Sequence, residues 1–156
     1  MGIYFNPTNE SFTQAKNSMI YVDKTELLEQ LNLRLSTENK CIAVSHARRF
    51  GKSHAAGMID AYYSLGCDSS NLFDNTKIAA NADYKKYMNK YNVIHLDISS
   101  FWDFHKKDLI ESIKERVYDD FKEIYAESLN YNKDIHVLLI EIYHKTTIPF
   151  VIIIDE

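Results

Sequence analysis

A chain of 156 residues, 46% apolar and 26% charged, has the size and make-up of one globular domain with a substantial core. Its net charge of −4 argues against a surface that coats nucleic acid, and no apolar run approaches the ~20 residues of a membrane span. The start, MGIYFNPTNESF, lacks the basic and long apolar regions of a secretion signal, so a cytoplasmic protein is expected.

Residues 1–40 read as a leader to the rest. Thr8 or Asn9 caps a short helix through Asn17, with Phe12 and Ala15 facing inward. An extended piece follows over 19–22. Asp23 and Glu26 then form a capping box for a helix to about Leu35, whose stripe is Leu27, Leu28, Leu31 and Leu35. Tyr21 reads either as core or as a ring that stacks on a nucleotide base, and capping alone accounts for Lys24 and Thr25.

After the polar connector 36–40, the apolar run Cys41, Ile42, Ala43 and Val44 has the character of a buried parallel strand. It feeds a basic loop that closes in Gly51, Lys52 and Ser53, and a helix resumes with Ala55, Met58, Ile59 and Tyr62 at helical spacing. Gly66 stands where a C-terminal cap belongs. A strand, a loop and a helix start in this order aim backbone N–H groups and the positive helix end at one point, which suits a phosphate chain. In the motif G-x-x-x-x-G-K-[ST] the lysine reaches the β- and γ-phosphates and the hydroxyl holds Mg²⁺. Here His46 occupies the first glycine slot, while Gly51-Lys52-Ser53 is intact.

Residues 67–82, rich in Asp, Ser, Asn and Ala, read as a surface insertion anchored by Leu72, Phe73 and Ile78. A helix over 83–91 places Tyr84, Tyr87 and Tyr91 on one face, more in the manner of a core stripe than of a base-stacking platform. VIHLDIS over 93–99 alternates, which predicts a half-exposed edge strand with His95 and Asp97 on its solvated face, or with Asp97 near the site. The longest helix is expected over 103–127, anchored by Trp102, and another over 134–145.

Pro149 suits the first position of the last strand. FVIIIDE, a continuous apolar run, predicts a central strand buried on both faces, whose tip offers Asp155 to a metal and Glu156 to a water. Either half of this pattern alone is weak evidence. Together they are far harder to obtain by accident.

The competing chemistries leave less trace. Cys41 and Cys67 form no metal or redox spacing and read as free thiols. The histidines at 46, 54, 95, 105, 136 and 144 make no zinc pattern, and there is no G-x-S-x-G nucleophile elbow.

The segments IYFNPTNESF, MIYVDKTELL, ARRFGKS, AAGMIDAYYSLGCDSSNLF, YNVIHLDISSF and PFVIIIDE resemble the predicted AAA-ATPase-like proteins of bacteria over nearly the whole chain. The resemblance implies an α/β, three-layer P-loop NTPase fold (ASCE/AAA-like), with a leader over 1–40 packed on a core over 41–156. Many relatives continue into a nuclease-like domain, of which nothing is present in this sequence. In that branch of the fold a further strand inserts between the P-loop strand and the acidic strand. A chain that stops at Glu156 therefore reads as a fragment with an incomplete sheet, truncated after the acidic strand. His46 and Ala47 depart from the family's usual Arg-Pro, and His54 from a small or aliphatic residue.

The expected cofactors are ATP and Mg²⁺. Nucleotide binding is assigned to Arg48, Arg49, Phe50, Gly51, Lys52, Ser53 and His54, with the amides from Arg49 to Ser53 as the phosphate cradle and with Arg48 and Arg49 either neutralising phosphate or facing solvent. Ser53 and Asp155 are assigned to the metal, and Glu156 to orienting and deprotonating the attacking water, with Lys52 as its catalytic partner. An ATPase is expected of the intact protein and slow turnover of this chain; the alternative is a nucleotide-gated switch. No membrane partner is expected, nor direct nucleic-acid binding.

Overall fold

The computed structural model describes residues 2–45, 47, 50–101 and 108–155. The helices are α1 (Glu10–Lys16), α2 (Glu26–Asn32), α3 (Lys52–Tyr63), α4 (Ser70–Phe73), α5 (Tyr84–Tyr87), α6 (Leu109–Tyr125) and α7 (Ile135–Thr146). The strands are β1 (Asn92–Asp97) and β2 (Phe150–Asp155). They pair in parallel, from Asn92 opposite Phe150 to Asp97 opposite Asp155, with α6 and α7 as the crossover a parallel pair requires.

Helices cover both faces of this sheet. Val93 joins Phe12, Leu28, Met58, Tyr62, Tyr63, Phe73 and Ile78 in one buried cluster, with Val151 and Ile153 packed against it. Ile94 joins Phe5, Val117, Phe121, Leu138 and Ile142 in a second, with Leu96 and Phe150 against it. Alternation along β1 thus separates two cores rather than core from solvent, and the expected half-exposed edge strand is corrected accordingly. His95 lies on the α3 side with a largely covered side chain.

The outer edge of β1 is also occupied. Asn6 N–H donates to the Val93 carbonyl at 2.7 Å and His95 N–H to the Tyr4 carbonyl at 2.9 Å, while the Asn6 side chain accepts from Val93 N–H. Phe5 and Ile94 form an antiparallel bridge. Asp120 on α6 fixes this N-terminal segment by accepting from the amides of Tyr4 and Phe5 at 2.6 and 2.9 Å.

It is β2 that is the more open strand, contrary to the expectation of burial on both faces: Ile152 is 53% and Ile154 70% exposed. Residues 41–44, expected as a strand, are exposed and form no ladder. A strand exists only by pairing, and a cavity of about 250 Å³ separates Ile42 and Val44 from Val151–Asp155.

Elsewhere several elements lie where expected, with differences in detail. Leu28 is buried and Leu27, Leu31 and Leu35 pack beside it, but the capping box does not form. Asp23 instead accepts from Thr25 N–H, Thr25 Oγ1 and Lys77 N–H, and Glu26 pairs with Lys77. Phe73 and Ile78 anchor the segment after α3 as expected. The tyrosine helix is one turn long, with Tyr84, Tyr87 and Tyr91 packed on the core. Helix α3 ends at Tyr63 with Ser64 as its cap; Gly66, at φ +88°, forms the turn beyond. Pro149 stands directly before β2, its carbonyl accepting from Asn92 N–H. Trp102 and the first residues of the expected helix over 103–127 lie outside the described residues.

Candidate nucleotide site

Gly51 starts the site. It precedes α3 with φ +79° and ψ +35°, the left-handed conformation that glycine adopts without steric penalty. This sharp reversal turns the chain into α3, whose first-turn amides have no carbonyl partner within the helix and carry its positive end. Lys52 and Ser53 occupy that first turn; Lys52 is half-buried and Ser53 exposed.

The helix is seated firmly behind this end. A Cβ on Gly57 would lie 2.6 Å from Ser11 Oγ and 3.1 Å from Ser11 Cβ, so α1 approaches α3 more closely than a side chain would allow. Met58, Ala61, Tyr62 and Tyr63 are buried below. Burial pushes the Tyr62 hydroxyl up to about 12, and Tyr62 Oη accepts from the Asn32 amide.

Two cavities flank the start of α3. The one of about 250 Å³ is lined by Lys52, Ala55 and Ile59 from α3, Lys40, Ile42 and Val44 from the preceding segment, and Ile154 and Asp155 from β2. Lys52 and Asp155, from opposite halves of the chain, therefore line one space. Asp155 ends β2 directly opposite Asp97, so two carboxylates stand at neighbouring strand ends.

The second cavity, about 530 Å³, is lined by Phe50, Gly51, His54 and Met58 on one side and by Phe12, Ala15, Ile20, Tyr21, Val22 and Lys24 on the other. Its walls are mainly apolar. The Tyr21 hydroxyl is buried with no hydrogen-bond partner among the described residues, and burial, assisted by the Asp23 charge, pushes its pKa up to about 12.

Of the residues assigned from sequence, the structure brings Lys52 and Asp155 together at the first cavity and Phe50, Gly51 and His54 at the second. Ala55 lines both cavities, whereas Ser53, on the first turn of α3, is exposed and lines neither. His46, Arg48, Arg49 and Glu156 lie outside the described residues.

Two relationships were not visible from sequence. Lys24 Nζ donates to the Phe50 carbonyl at 2.6 Å, so the residue attributed to capping reaches the loop. Beneath the loop, His95 Nδ1 lies 2.6 Å from Asp60 Oδ2, joining β1 to α3. An acid four residues after Ala56 and three before Tyr63, on a buried helix face, was the available signal for Asp60.

The donor set fits a magnesium–nucleotide complex. Mg²⁺ is typically held by one or two carboxylates plus substrate phosphates rather than by a closed protein cage, and Asp155 supplies one carboxylate on the cavity that Lys52 also lines. A lysine and a strand-end carboxylate on one cavity, next to the glycine that turns the backbone into the helix start, make up such an open site.

A comparison with curated proteins gives no match, and a comparison with solved structures gives none. A family model described as Predicted AAA-ATPase matches residues 9–156.

Proposed function

From the premise that the chain belongs to the predicted AAA-ATPase family, we propose that it binds ATP with Mg²⁺ at the start of α3 and hydrolyses it, on a three-layer α/β domain of the P-loop type. The observation that carries this proposal is the meeting of Lys52 and Asp155 at one cavity beside the Gly51 turn.

The triphosphate lies over the first turn of α3, with the amides beside Gly51 and the Lys52 ammonium on its β- and γ-oxygens. Asp155, which lines the first cavity, would hold Mg²⁺ together with phosphate oxygens, and the hydroxyl of Ser53, the residue after Lys52, would turn to it when nucleotide binds; the ion would neutralise charge on the phosphates. Glu156, next in the chain after Asp155, orients the attacking water and takes its proton. The base occupies the second cavity, where Phe12, Met58 and Tyr21 offer apolar and aromatic surface.

A fluorescent ATP analogue titrated with Mg²⁺ tests the site. Saturable binding, weakened about tenfold or more by Lys52→Ala, is expected from the loss of charge-assisted phosphate contacts. Affinity unchanged by Lys52→Ala rejects the site. Phosphate release measured on the same samples separates an ATPase from a nucleotide-gated switch, which binds tightly without turnover.

A further inference from the structure

The residues 23–25 form a bracket whose outer two members are fixed and whose middle member reaches the phosphate loop. Asp23 accepts from Thr25 N–H at 2.8 Å, Thr25 Oγ1 at 2.7 Å and Lys77 N–H at 2.8 Å. Thr25, fully buried, accepts at Oγ1 from Ile78 N–H at 3.1 Å, and Ile78 is itself fully buried in the core. Burial alone would raise the Asp23 pKa; the bonds from Thr25 and Lys77 outweigh it and hold the carboxyl below its ordinary value.

Between these anchors Lys24 is exposed and extends away from the core to the Phe50 carbonyl. Its Nζ also lies 3.2 Å from the point where a Cβ on Gly51 would stand. The ammonium therefore touches the peptide at which the chain makes its left-handed turn into α3.

We propose that Lys24 is a positioning residue for the phosphate loop, holding the Phe50–Gly51 peptide in the orientation that a bound phosphate chain requires. The physical reason lies in the planarity of that peptide. In a trans peptide C=O and N–H point in opposite directions, so an ammonium that fixes the Phe50 carbonyl on one side fixes the Gly51 N–H on the other. A hydrogen bond from a charged donor is stronger than a neutral one, and its far end is tied to Lys77 N–H through Asp23 and to the buried Ile78 N–H through Thr25. The loop enters the bound state with less orientation left to lose, which improves affinity without a direct contact to the ligand. Its role at phosphate rests on the nucleotide-binding proposal above; the clasp on the loop does not.

The test uses the nucleotide-free protein first. In ¹⁵N relaxation measurements, Lys24→Met is expected to lower the Gly51 and Lys52 amide order parameters from about 0.85 to below about 0.6, and Lys24→Arg to restore them. An order parameter equal in wild type and Lys24→Met overturns the proposal. Because Lys24 is exposed, these variants keep the fold, and an unchanged amide spectrum outside the loop checks this. Titrations with ATP and with magnesium tripolyphosphate, which has no base to fill the cavity that Lys24 lines, then separate loop positioning from a contact with the base: Lys24→Met is expected to weaken both about tenfold, and Lys24→Arg to rescue both. Tripolyphosphate affinity unchanged by Lys24→Met overturns the phosphate-specific role. Loosened amides in a protein that binds no ATP even as wild type leave the clasp standing and reject the nucleotide site instead.

Discussion

His95 Nδ1 and Asp60 Oδ2 lie 2.6 Å apart, a largely covered link between the middle of β1 and the third turn of α3. The link ties the helix that starts at the phosphate loop to the strand lying beside β2. Its polar groups are only partly satisfied: Asp60 Oδ1 and His95 Nε2 are buried with no hydrogen-bond partner among the described residues. A pair of this kind is weak as a source of stability and strong as a constraint on register, because removing one member strands the other's charge.

The pair makes stability depend on pH. Burial disfavours the His95 cation, but the Asp60 hydrogen bond and charge, followed by the charges of Asp155 and Asp97, outweigh it and raise the pKa above 6.5. A raised histidine contributes stability in full below pH 6.5 and loses it as pH rises through the folded value. Asp60 acts in the same sense at lower pH. Burial raises its carboxyl above 3.8 against the opposing His95 bond, so its ionisation in the folded chain reduces stability as pH rises. In urea unfolding, His95→Leu is expected to cost about 3 kcal/mol at pH 6 and clearly less at pH 9. A cost that is the same at both values removes the charged pair from the account.

The N-terminal segment depends on one carboxylate. Asp120 accepts from two successive backbone amides, Tyr4 and Phe5, and is buried, so its loss leaves both donors without this acceptor. Asp120→Ala is expected to destabilise by about 2–3 kcal/mol, and Asp120→Asn, which keeps one acceptor oxygen, by less. Hydrogen exchange at the amides of Tyr4, Phe5 and Asn6 reports whether the loss is local. Unchanged exchange there would show that Phe5 packing and the hydrogen bonds to β1 hold the segment without Asp120.

How far the sequence could be read follows from the range of each interaction. Helix α3 and strand β2 were legible because local signals set them: the Gly51 turn with the periodic Met58 and Tyr62, and an apolar run ending in Asp155. Lys52 and Asp155 were legible as a pair only through the motif they share. The state of residues 41–44 was not legible, since an apolar run predicts strand propensity but not which partner lies beside it. The exposures of β1 and β2 were reversed for the same reason: residues 4–6 cover the outer edge of β1, and a cavity lies beside β2. The Lys24–Phe50 contact spans 26 positions and Asp60–His95 spans 35, and neither separation leaves a periodic trace.

Asp155 provides the sharpest separation of metal from nucleotide binding. It lines the cavity that Lys52 lines and ends β2 opposite Asp97, while its charge also contributes to raising the pKa of His95. Asp155→Asn keeps the shape and removes the charge. Acting on the metal, it should weaken the fluorescent ATP analogue about tenfold in Mg²⁺ and leave affinity in EDTA unchanged, whereas Lys52→Ala weakens both. The same substitution should lower the His95 pKa in an NMR titration, because one of the charges that raises it is gone. Loss of affinity in EDTA as well as in Mg²⁺ would mean that Asp155 supports the loop rather than the metal. A lowered His95 pKa with unchanged binding in both solutions would place its charge near the α3–β1 link and away from the phosphate chain.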